Sequence, residues 1–158
     1  MSSIFQGLIL GSDHAGFERK AELILWLKSQ YPKINIYDVG VASGDTPSDY
    51  PDQAKAAVLK YRSLPSNSQA AVALVLICGS GVGISMGANR FPEVRAVLAQ
   101  SENIARLARE HNAANAICLG GRTQTQEESE RILRAFLTTP SSKEDRHVRR
   151  IEKLSNLS

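Results

Sequence analysis

The chain has 158 residues, 42% hydrophobic and 22% charged, with a formal net charge of +3 and a pI near 9.0. That length suits one globular domain, and so slight a charge fits a small anionic partner better than the broad basic stripe of a nucleic-acid surface. No apolar run approaches the roughly 20 residues of a membrane span, and residues 1–6 carry no signal-peptide pattern.

Short apolar runs then alternate with longer segments of helical period. Gly7–Gly11 reads as a first strand. Phe17, Ala21, Ile24 and Leu25 recur at helical spacing and predict a helix over about residues 15–30. Ile34–Val39 is a second strand, and Pro51 suits the first turn of a helix running to about Arg62. Residues 63–69 (SLPSNSQ) read as a polar loop. Val72–Cys78 is apolar throughout, as in a strand covered on both faces, and a helix follows over about residues 81–90. Val94–Ala99 is a fourth strand, with Ser101 placed to cap a helix ending near His111. Ala116–Leu119 is a fifth strand. Thr125 and Glu128 form a capping box for a helix that Pro140 closes, and an amphipathic helix occupies about residues 143–155.

Five strand–helix units in succession predict an α/β fold, one domain over residues 1–158 with a parallel sheet between two helical layers. The pattern does not encode strand order. In open parallel sheets ligands bind beyond the carboxyl ends of the strands. Three informative stretches fall there: Ser12-Asp13-His14, Cys78-Gly79-Ser80-Gly81-Val82-Gly83, and Gly120-Gly121-Arg122.

The alternate glycines 79, 81 and 83 permit unusual backbone angles and leave N–H groups open to an anion; a tight turn serving packing alone is the other reading. Ile84 stands where a dinucleotide fingerprint needs glycine, and no Gly-Lys-Ser/Thr of a phosphate-binding loop is present. Cys78, at the strand end before that loop, is either a small core residue or a thiol tuned toward thiolate and able to act as a general base. Cys118, within a strand, reads as core. The two cysteines lack the even, loop-borne spacing of a secreted scaffold, so a reducing, cytoplasmic setting is expected.

Asp13-His14 offers either a helix cap with an exposed imidazole or a pair for proton transfer and phosphate binding. His111 shares a helical face with Ile104, Leu107 and Ala108, so a core histidine and a functional one remain equally open. Arg146, Arg149, Arg150 and Lys153 make a basic stripe that is either solvated surface or a guanidinium clamp for phosphate. His14, Cys78, His111, Cys118 and His147 show no close-spaced ligand pattern, so no metal is expected.

Taken in order, GSDHAG (Gly11–Gly16), SDYP (Ser48–Pro51), ICGSGVGISMGANR (Ile77–Arg90), REHNAANAICLGGR (Arg109–Arg122) and DRHVRRIE (Asp145–Glu152) resemble the ribose-5-phosphate isomerase B family, which includes the galactose-6-phosphate isomerase subunits. The resemblance implies a three-layer α/β/α sandwich on a Rossmann-like five-stranded parallel sheet. It also implies a homodimer or tetramer of dimers with active sites shared across the interface. It makes Cys78 the base between C1 and C2 of a phosphosugar, with Gly79, Ser80, Gly81, Val82 and Gly83 cradling the enediolate. His111 would open the sugar ring with help from Asp13. His14, Arg122, Arg146 and Arg150 would hold the phosphate, and Tyr50 and Asn112 the sugar, with His111 and Asn112 coming from the neighbouring subunit. One branch of the family replaces the cysteine by a glutamate four residues later; Val82 occupies that position here, which puts the chain in the cysteine branch.

The expected activity is thus interconversion of ribose 5-phosphate and ribulose 5-phosphate, with no cofactor, nucleic acid or membrane partner. Isomerisation of a related hexose or tetrose phosphate is the nearest rival. A non-catalytic sugar-phosphate sensor and a nucleotide-binding module are readings from other classes.

Overall fold

The computed structural model of the chain describes residues 1–157. Five parallel strands, β1 (Gly7–Ser12), β2 (Asn35–Asp38), β3 (Val72–Cys78), β4 (Ala96–Leu98) and β5 (Ala116–Gly120), form one sheet in the order β2-β1-β3-β5-β4. A 3-10 turn (His14–Gly16) leads into α1 (Phe17–Gln30), and α2 (Tyr50–Ser63) and α3 (Ser66–Gln69) precede β3. The remaining helices are α4 (Val82–Ala88), α5 (Glu102–Asn112), α6 (Gln126–Thr138) and α7 (Asp145–Ser155).

Alternate strand residues feed two separate cores. Leu8, Leu10, Val75, Ile77 and Ile117 pack with Leu23, Leu27, Ala105, Leu133 and Phe136 from α1, α5 and α6. Ile9, Leu74, Leu76, Cys78 and Cys118 pack with Ala54, Ala57, Val58 and Ile84 from α2 and α4 on the other face. Every residue of β1, β3 and β5 is buried, as a sheet covered on both sides requires. The expected three-layer sandwich is therefore present. No helix among the described residues is long and apolar enough to cross a membrane.

Local chemistry sets the element ends. Ser101 accepts the Ile104 N–H, and both arms of the Thr125–Glu128 capping box form. Two details depart from expectation. The first helix opens with a 3-10 turn because Asp13 accepts the Gly16 N–H and tightens the entry. The polar stretch after Ser63 is not all loop: Ser66–Gln69 makes one helical turn, closed by the Gln69 amide donating to Leu64 O at 3.0 Å.

Gly16 lies so close to β3 that a β-carbon there would fall 2.5 Å from the Ile77 carbonyl oxygen, whereas one on Gly87, inside α4, would meet Ala54 Cβ at an ordinary 3.5 Å. Urea denaturation should show Gly16→Ala destabilised by about 1–3 kcal/mol through overpacking. Gly87→Ala should be unchanged or more stable by up to about 1 kcal/mol, through the lost backbone freedom of the unfolded chain.

Candidate active site

All five strands run the same way, so their carboxyl ends share one rim. Cys78 closes β3 there, 4% exposed, and its sulfur faces the glycine turn: the Gly81 N–H donates to Sγ at 3.2 Å. Gly81 holds that geometry at φ 78°, a left-handed conformation, with Leu98 and the Leu119 backbone filling the space a side chain would need. The exposed Ser80 accepts the Val82 N–H through Oγ at 3.3 Å. Among the described residues the N–H groups of Ser80 and Gly83, on either side of the Gly81 amide that meets the sulfur, have no protein partner.

The neighbouring crossings build the walls. Asp13 is buried and caps the 3-10 turn through Oδ1. His14 Nδ1 lies 3.2 Å from both Ser48 N and Ser48 O, while its own N–H donates to Ser48 Oγ, so the ring is tied to the loop ahead of α2 in either tautomer. That loop delivers Tyr50, 41% exposed, whose ring lies where a β-carbon on Gly83 would approach within 2.7 Å. Arg122, after β5, reaches back beside Gly79, its Nη1 3.9 Å from that residue's β-carbon position. His14 and Arg122 border one cleft of about 400 Å³ with Arg19 and Gly44. Cys78, Asp13, His14, Tyr50, Arg122 and the loop Gly79-Ser80-Gly81-Val82-Gly83 thus gather at one end of the sheet.

Four expected members lie elsewhere in the chain. His111 and Asn112 end α5, the helix that descends from the rim to the end where strands begin. There the Arg95 Nε, just before β4, donates to Asn112 O at 3.1 Å. His111 stacks on His147 of α7, with centroids 4.3 Å apart and planes 6° apart. Arg146 and Arg150 share that helix and are exposed, Arg146 pairing with Glu144 at 2.8 Å. The expected site residues of one chain therefore fall at opposite ends of its sheet.

Three residues touch the expected members or their loop without having been singled out from sequence. Ser48 holds His14. Lys20, 1% exposed, spans from α1 to Asp38 at 2.6 Å and to Val41 O at 3.0 Å, anchoring the start of the loop that carries Ser48 and Tyr50. Its helical position beside apolar Leu23 and Leu27 is the available signal, because a lysine on a core-facing stripe needs a buried partner. His147 looks like part of a basic helix until the stack is seen. Arg109, by contrast, is structural: buried between the Phe5 and Phe136 rings, it donates to the Thr139 and Ala114 carbonyls, and burial, then Arg95, lowers its pKa to about 10. Among the described residues no group of three or more His, Cys, Asp and Glu side chains converges as metal ligands.

The chain matches the family described as Ribose/Galactose Isomerase over residues 8–154. The ribose-5-phosphate isomerase B of Mycolicibacterium paratuberculosis is 43% identical over 147 residues, covering 92% of this chain and 87% of that protein. That of Mycobacterium tuberculosis is 40% identical over 146 residues, covering 92% and 86%. Among solved structures, ribose 5-phosphate isomerase B from Anaplasma phagocytophilum shares the fold with a TM-score of 0.86 at 34% identity, covering 98% of this chain and 99% of that one. The Thermotoga maritima enzyme gives 0.86 at 38% identity, covering 96% and 98%.

The two thiols have opposite environments. Burial, and then the nearby Cys78, push the Cys118 thiol far up, while the Cys78 sulfur has an amide donor and the rim beside it. Brief treatment with iodoacetamide at neutral pH, followed by peptide mass spectrometry, should therefore label Cys78 and spare Cys118. Gly81→Ala should slow that labelling.

Proposed function

The chain belongs to the ribose/galactose isomerase family, and from that premise we propose that it interconverts D-ribose 5-phosphate and D-ribulose 5-phosphate, with Cys78 as the base. It is an aldose–ketose isomerase, and the observation that carries the finer reading is the Cys78 sulfur turned toward a loop of free amides. In the open-chain aldose the thiolate takes the proton from C2, and the bonding pair becomes the C1–C2 double bond as charge moves onto O1. The product is a cis-enediolate. A proton passes from O2 to O1, with Asp13 assisting, and the sulfur returns its proton to C1 on the same face.

The charge that develops on oxygen falls where Ser80, Gly83 and their neighbours present N–H groups. One such preorganised donor contributes about 3 kcal/mol to the transition state in enzymes where it has been removed. Phosphate binding by His14 and Arg122 fixes the reacting carbons over the sulfur from a distance, which converts binding energy into orientation.

A furanose must open before C2 can be deprotonated, and this half of the machinery sits at the far pole of the chain. We assign ring opening to His111, sugar contact to Asn112 and further phosphate contact to Arg146 and Arg150, all supplied by a second copy. Two features support that pairing. Helix α7 leaves Val148 and Leu154 39% and 46% exposed, and α4, whose Gly83 lies under the Tyr50 ring, leaves Met86 66% exposed, so apolar side chains lie on the helices of both half-sites. The edge strand β4 is only half-buried as well. The two free thiols support a reducing, cytoplasmic setting.

Cys78→Ala should abolish isomerisation in a coupled assay while phosphosugar binding survives in calorimetry; unchanged turnover would remove the base. The shared site has a sharper test. Cys78→Ala and His111→Ala, each inactive alone, should regain about a quarter of wild-type activity when unfolded together and refolded at equal ratio, because half the two-fold dimers then hold one intact site. No recovery on mixing would place His111 and Cys78 outside a common site. Rates on a panel of pentose, hexose and tetrose phosphates should be highest for ribose 5-phosphate.

A further inference from the structure

His147 is the one histidine that the proposed chemistry leaves without a task. It is 4% exposed, and its Nδ1 is buried with no hydrogen-bond partner among the described residues. An unpaired polar atom in that setting costs free energy that an apolar residue of the same size would avoid. The ring's presence is therefore explained by what it touches, and its one aromatic contact is the near-parallel stack on His111.

His111 needs such a support. It stands in the last turn of α5, one residue before the helix ends and two before Ala113 turns left-handed at φ 46°. Helix ends have the fewest intrahelical restraints, and a side chain there is poorly fixed unless something packs on it. His147 supplies a flat face from a different helix, and α7 is itself fastened close by, with the Ser142 N–H donating to Glu110 O at 2.9 Å just ahead of it. Two imidazoles at this distance attract only if they do not share positive charge. Burial first, then the charges of His111 and Arg146, with Glu144 opposing and Arg150 adding, hold the His147 pKa below the ordinary imidazole range. The stack at neutral pH thus has an uncharged ring on the α7 side.

We propose that His147 is a positioning residue for His111: its stacked ring fixes the plane and rotamer of that last-turn histidine, so that the imidazole meets the furanose oxygen of a sugar bound at the partner's thiol. The idea rests on the assignment of ring opening to His111. It makes the pair a ring-opening device, separable from the thiol and amides that handle the opened chain.

The test compares turnover of ribose 5-phosphate with binding of an acyclic four-carbon phosphohydroxamate, which mimics the opened enediolate and has no ring to break. His147→Ala should lower kcat/KM about 10–100-fold, as a misplaced catalytic group does. Affinity for the hydroxamate should stay within about threefold, because the enediolate cradle is untouched. His147→Phe, which keeps a flat ring in the stack, should recover most of the lost turnover. If the alanine variant does not fold, His147→Leu, which fills the volume without a flat face, takes its place in the comparison.

Wild-type turnover in His147→Ala or its leucine substitute, an equal loss in turnover and hydroxamate affinity, or a phenylalanine variant as impaired as they are would each overturn the proposal. His111→Gln separates the two layers of inference. If it too loses turnover but not hydroxamate affinity while the His147 variants are normal, only the positioning role fails. If it loses both equally, ring opening by His111 fails and the positioning role falls with it.

Discussion

The rim that carries Cys78 depends on three chain crossings that pass one another with backbone against backbone. The Asp13 N–H donates to Ile77 O, Gly121 N–H to Cys78 O, and Arg122 N–H to Gly79 O, so the exits of β1, β3 and β5 are knitted together beyond the last regular ladder pair. Such contact leaves no room for side chains between them. Gly16 faces the Ile77 carbonyl, Gly121 the Ala15 carbonyl, and Gly120 the Thr123 hydroxyl and the Ser80 backbone. The side chains that remain at these turns, Asp13, Cys78 and Arg122, are held at fixed places on the rim. A sheet of ordinary spacing thereby becomes a rigid holder for the side chains at its rim, and rigidity on this scale is what the proposed base and oxyanion donors require.

Much of this was legible beforehand, for a physical reason. Strand and helix periods are local, so all five strands and the main helices could be placed from apolar spacing, and the cap residues Ser101, Thr125 and Glu128 marked helix starts because their bonds close within three residues. Strand order, by contrast, is set by non-local pairing that no period records. The residues at strand ends were also readable, since the carboxyl rim is where a parallel sheet presents ligand-binding groups. Spacing could not show that His111 and Cys78 lie at opposite poles of the chain. That follows from the direction α5 takes after β4, and only the expected subunit sharing anticipated it. His147 was hidden for a related reason: its value lies in one contact with a different helix, and its neighbours Arg146, Arg149 and Arg150 make the segment read as solvated surface.

The polar division has an electrostatic side. Arg95 donates to the terminal carbonyls of α5 at Asn112 and Ala113, which satisfies groups every helix leaves unpaired at its end and places positive charge at the negative end of the dipole. Arg146 and Arg150 are left free of that duty, exposed on α7, with Glu144 paired to Arg146. At this end of the molecule Arg95 thus holds backbone together, while the arginines of α7 extend from an exposed helix face. At the rim, the Lys20 ammonium, which binds Asp38 and Val41 O, plays the corresponding structural part and leaves Arg122 beside the glycine loop.

The placement of the two sulfurs has a consequence for oxidative stress. Cys78 pairs in register with Gly120, and Cys118 with Leu76, so the cysteines sit on adjacent strands and one face but two residues out of step. Strand spacing and rise put their α-carbons about 8 Å apart, beyond the roughly 7 Å that a disulfide can bridge. A peroxide that reaches Cys78 would therefore leave a sulfenic acid with no resolving thiol in its own chain, and rescue would fall to a diffusible thiol entering at the rim.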